Sequence, residues 1–214
     1  MKRLVASIVL AAVAVTSASA QTRSRENETN VSKQRAAVEA WTACIADERT
    51  EEVREVLSLD FRSDEYREQM QKLAKARVSS DCFNAMPRSY RKIELGGLPF
   101  AGGLAEQVIE MDDEPLLQRL SMAALVQDVP TFSRTDAIAQ CMVRGAPHLV
   151  AILFDTDINS GDEIEALAEL QPVSAACTRG AALEASPLGM RSMLATASYR
   201  LLNAPSPSPA EAAE

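Results

Sequence analysis

Four cysteines stand in two pairs of almost equal separation, Cys44 with Cys82 and Cys141 with Cys177, and this recurrence constrains the architecture more than any other feature. Four cysteines allow three pairings. Joining Cys44 to Cys82 and Cys141 to Cys177 makes both bridges local and equivalent. Joining Cys44 to Cys141 and Cys82 to Cys177 is as symmetric but interlocks the two halves, so the local pairing is expected. Closing a loop of this length stabilises by roughly 4 kcal/mol in the chain-entropy model, comparable to the whole stability of a small domain. No C-x-x-C is present, and the single histidine, His148, stands apart from the cysteines. Structural bridges are therefore expected rather than zinc ligands.

Bridges form in an oxidising compartment, and the N-terminus carries the matching address. A basic start, Met1-Lys2-Arg3, leads into an apolar stretch, Leu4 to Val15, and then to the small residues Ala18-Ser19-Ala20. That order predicts a signal peptide over 1–20 and a mature N-terminus at Gln21. The apolar stretch is shorter than the roughly 20 residues of a spanning helix. A secreted or periplasmic protein with no membrane span is expected. The formal charge is −8, and losing Lys2 and Arg3 makes it more negative. Nucleic acid and anionic lipid are thereby disfavoured as partners, because both are bound by neutralising phosphates with Lys and Arg.

Residues 21–32 are polar without periodicity, and 204–214 are Pro, Ser, Ala and Glu; neither can bury enough apolar surface to offset its ordering entropy, so both read as disordered. Between them the chain reads as all-α. Val38, Trp41, Cys44 and Ile45 recur at helical spacing, followed by Val53, Val56 and Leu57, and by Tyr66, Met70 and Leu73 after a Ser63 cap. Leu104, Val108 and Ile109 follow the glycine-rich turn. The same order returns in the second half: Ile138 before Cys141, then Val150, Leu153 and Phe154, then Ser160-Gly161-Asp162-Glu163 as a capping box opening a helix with Ile164 and Leu167, then Leu194-Ala195 matching Leu104-Ala105. The reading is two tandem, disulfide-closed units of about four helices each, 33–111 and 133–203, joined by a linking helix, 112–132.

The candidate chemistry is thin. Asp155, Asp157, Asn159 and Glu163 occupy positions 1, 3, 5 and 9 of a pattern that resembles the calcium loop of EF-hand proteins, which implies a calcium site. The pattern lacks the turn glycine, where Ser160 stands, and the final bidentate Glu, where Ala166 stands. Ser89-Tyr90-Arg91-Lys92 fits S-x-x-K without its companion motifs. Gly96-Gly97 and Gly102-Gly103 lack the G-K-[ST] of a phosphate loop and read as close packing. No catalytic residues and no cofactor are assigned. Residues 135–176 carry one basic and seven acidic side chains, an acidic surface suited to a basic protein partner. The expectation is a non-enzymatic helical module that binds another protein or serves as a scaffold; a small-molecule or calcium carrier comes second and a hydrolase third.

Overall fold

A computed structural model describes residues 30–126, 129–180 and 183–204, and all regular structure among them is helical. The expected signal peptide and nearly all of both expected tails lie outside the described residues. The first series comprises α1 (Val31–Glu48), α2 (Thr50–Ser58), α3 (Asp64–Ala74), α4 (Ser80–Ala85), a 3-10 turn (Tyr90–Lys92) and α5 (Gly97–Glu110). α6 (Leu116–Val126) follows, shorter than the expected linker. The second series comprises α7 (Arg134–Gly145), α8 (Pro147–Phe154), α9 (Gly161–Glu169), α10 (Gln171–Cys177) and α11 (Pro187–Leu202). Each series has five helices rather than about four, because the short cysteine-bearing α4 and α10 lack a stripe long enough to announce them.

Side-chain caps set the helix starts. Ser63, Ser79, Ser133, Ser160 and Ser186 each accept a hydrogen bond from the N–H three residues on, satisfying a donor that a helix start leaves open. Asn30 does the same for Lys33 at 3.1 Å, so α1 begins at Val31, inside the stretch expected to be disordered. The first helix of each series breaks five residues after its cysteine, at Arg49 and at Ala146, where the backbone leaves the helical region. Pro147 enforces the second break, since it has no N–H to continue the ladder.

Cys44 is joined to Cys82 and Cys141 to Cys177, with Cα–Cα distances of 6.0 and 5.8 Å, so the bridges tie α1 to α4 and α7 to α10 as the equal spacing predicts. Both series feed one hydrophobic core. α5 and α11 cross at its centre, bringing Phe100 and Leu104 together with Leu194, Tyr199 and Leu201, all essentially without solvent contact. The crossing is close because Gly102 has no side chain: a Cβ there would lie 2.4 Å from the Cα of Ser192. Two polar bonds tie α11 to its other neighbours, Tyr199 Oη donating to the Arg54 carbonyl of α2 at 2.9 Å and Gln140 Nε2 of α7 to the Ala197 carbonyl at 2.9 Å. Among the described residues no single helix is long and apolar enough to cross a membrane.

Candidate functional site: an apolar cavity beside a buried ion network

The residues of the calcium-like pattern differ in burial. Asp155, Asp157 and Asn159 are exposed, whereas Glu163 is buried at 1% exposure. Its carboxylate is gripped by Arg35, with Nη1 to Oε2 at 2.8 Å and Nη2 to Oε1 at 2.5 Å, and approached by Arg191 Nη1 at 3.3 Å. The Asn159 N–H also donates to it, at 3.0 Å. The capping box is thus half made: Ser160 caps α9 through the Glu163 N–H at 3.0 Å, but the Glu163 carboxylate turns inward to two guanidinium groups. Among the described residues no cluster of three or more His, Cys, Asp or Glu side chains is arranged to hold a metal. His148 is exposed on the first turn of α8, and Ser89 lies just ahead of the 3-10 turn.

Glu163 belongs to a network that joins four helices. Arg35 reaches it from α1, and Arg191 links it to Glu106 on α5 through a short bidentate pair, while also donating to the Thr156 hydroxyl at 3.1 Å and to the Thr156 carbonyl at 3.0 Å. Buried charges are tolerated when paired and hydrogen-bonded; each of these is paired, and Arg35 Nε alone in the network is buried without a hydrogen-bond partner among the described residues. The side chains fill the space between α1, α5 and α11 almost completely, leaving about 40 Å³. Nearby carboxylates feel the crowding. Burial, then the charge of Glu106, raises the Glu39 carboxyl above its ordinary value, and burial with Glu106 and Glu39 pushes Glu110 up to about 7 against the opposing pull of Arg191.

On the opposite side of the α5–α11 crossing lies an open cavity of about 480 Å³, within the range of small-molecule sites. Leu57, Met70, Leu98, Ala101 and Met193 supply apolar walls from α2, α3, α5 and α11. Gly97 turns the chain at its lip with φ +63, a conformation that side-chain-bearing residues rarely adopt. One wall is ionic. Arg200 on α11 forms a short bidentate pair with buried Asp136 at the start of α7, and Asp136 also accepts the Phe132 N–H at 2.8 Å. The Phe132 ring lies under Arg200 at 5.2 Å and under Arg62 at 5.3 Å, and meets Phe61 edge-on at 5.6 Å. Tyr66 lines the floor. Burial, with a smaller opposing effect from Arg200, raises its phenol above the ordinary value, and its hydroxyl hydrogen-bonds to no described residue.

The sequence places Tyr66, Met70 and Leu57 on helix stripes without marking them as the lining of a site. Periodicity identifies the inward face of a helix; it carries no sign of whether another side chain fills the space opposite. Arg35, Glu106, Arg191, Asp136 and Arg200 had no local signal, since each meets partners far along the chain. No protein-family model, curated protein or solved structure matches this chain.

Proposed function

We propose that this chain is an exported binding protein whose cavity between α3 and α11 carries a small amphipathic molecule. The observation that carries the reading is the cavity itself: about 480 Å³, mostly apolar, open to solvent and floored by a phenol without a partner. An open, mostly apolar concavity of this size falls within the range of small-molecule sites and suits an occupant. The two bridges and the basic-apolar-small N-terminus support a secreted or periplasmic setting. The protein-docking role expected first from the sequence rests on the acidic stretch 135–176, and Met122 and Leu125, exposed on α6, add apolar surface to it. The cavity favours the carrier.

The test uses N-phenyl-1-naphthylamine, an uncharged dye that brightens in apolar surroundings. Wild-type protein is expected to bind it with micromolar affinity, and Ala74→Trp, which fills the cavity from the end of α3, to weaken binding by about tenfold or more with an unchanged circular dichroism spectrum. No brightening with wild type, or equal brightening with both proteins, overturns the reading.

A further inference from the structure

The two series can be aligned on shared landmarks: Cys44 with Cys141, the caps Ser63 with Ser160, and Leu104 with Leu194. Counted from them, Tyr66 and Glu163 both stand three residues after the cap, and Phe132 and Arg35 both stand nine residues before the cysteine. Ala101 and Arg191 stand three before the leucine, and Thr196 and Glu106 stand two after it. The matched positions also line matched spaces. Ala101, Thr196 and Asp136 border the open cavity, while Arg191, Glu106 and Glu39 border the small space at the ion network. The four charged side chains that fill the network therefore have a phenol, a hydroxyl, a methyl group and a phenyl ring for counterparts: Tyr66, Thr196 and Ala101 line the cavity, and the Phe132 ring lies against Arg200 in its ionic wall.

Resting on the carrier reading, we propose that the cavity is the charge-stripped counterpart of the ion network and takes an uncharged ligand: an apolar body in the volume that Arg191 fills on the other side, bearing one hydroxyl or carbonyl oxygen that hydrogen-bonds the Tyr66 hydroxyl. The charges that remain around the cavity are already matched. Arg200 is paired with Asp136, Arg67 with Asp64 and Arg62 with Asp60. Of these guanidinium groups Arg200 is the buried one, and a ligand carboxylate there would have to compete with Asp136, whereas Arg62 and Arg67 stand exposed and hydrated. An ammonium group would find only Asp136, whose two oxygens already accept from Arg200 and the Phe132 N–H. Either ion loses its hydration without a free partner, which is costly in an apolar site, whereas a neutral oxygen needs one hydrogen bond and Tyr66 supplies it.

Three probes with the same ten-carbon chain, 1-decanol, decanoate and decylammonium, are titrated against protein loaded with N-phenyl-1-naphthylamine, each below its aggregation threshold. Decanol is expected to displace the dye at a concentration at least about tenfold lower than either ion. Tyr66→Phe, which keeps the ring and removes the hydroxyl, is expected to weaken decanol about fivefold while dye affinity stays within about twofold. Displacement by decanoate or decylammonium at decanol's concentration or below, or a Tyr66→Phe variant that binds decanol as wild type does, overturns the inference while the carrier reading stands. Failure of the wild type to bind the dye ends both.

Discussion

Gly102→Ala is expected to destabilise the fold by about 3 kcal/mol, seen as a lower midpoint in urea unfolding. Two effects oppose each other. Alanine in a helix interior gains about 1 kcal/mol over glycine from intrinsic propensity. Against this, the new methyl group would sit 2.4 Å from both Cα and Cβ of Ser192, and a backbone atom cannot rotate aside as a long side chain can. Relief requires α5 and α11 to separate along their whole contact, which loosens Phe100, Leu104 and Leu194 together. The steric cost wins. Gly161→Ala is the matched control: a Cβ there meets nothing within 4 Å, so the variant should be at least as stable as wild type. Equal stability of Gly102→Ala and wild type would mean that the helices do not cross this closely.

Glu163→Leu is expected to cost about 4 kcal/mol, because it leaves Arg35 buried without its carboxylate while Arg191 keeps only Glu106, and an uncompensated buried charge costs more than an intact pair contributes. The wild-type contribution should depend on pH in a defined direction. Burial works to raise the Glu163 carboxyl, but the hydrogen bonds from Arg35 and the Asn159 N–H, with the charges of Arg35 and Arg191, outweigh it and hold the group below the ordinary carboxylate value. The unfolded chain then binds the proton first as pH falls. The stabilisation is fully present above the ordinary carboxylate range and is lost as pH falls through the lowered native value. Melting of the wild type should be the same in calcium and in chelator; a melting temperature that drops on chelation would return Asp155, Asp157, Asn159 and Glu163 to the role of cation ligands.

Glu163 shows where sequence reasoning reached and where it stopped. Its local role was legible: a serine three residues earlier, on the threshold of an apolar stripe, identifies a capped helix start, and Ser160 does cap α9. Its distant role was not, since Arg35 lies 128 residues away and nothing in the neighbourhood of either residue names the other. The cysteines were the opposite case, because equal spacing made one pairing simpler than its rivals. Its place on the α1 stripe points Trp41 toward the core, and it packs there partly buried, its indole N–H donating to the Tyr90 carbonyl at 2.7 Å and its ring meeting Phe83 edge-on. Ile164 and Leu167 fall in the same predicted helix, yet Leu167 is buried and Ile164 stands 65% exposed, a difference that their three-residue step does not announce. Gly102 and Gly103 were rightly tied to close packing, but they lie in mid-helix against α11 and α1 rather than at a turn. Patterns of three and four residues report on one helix; contacts between the two series are written in pairs that only the fold brings together.

Neither disulfide passes from one series to the other, so covalent closure is local while cohesion is global. Cutting both bridges would lengthen the tether inside each half and leave the α5–α11 seam and the Arg35–Glu163 clasp to hold the halves together. Denaturant acts in the reverse order, opening the seam with each cross-linked loop still closed. Redox poise and solvent thus press on separate parts of this molecule, and the walls of its cavity, drawn from both series, depend directly on the part that reductant leaves alone.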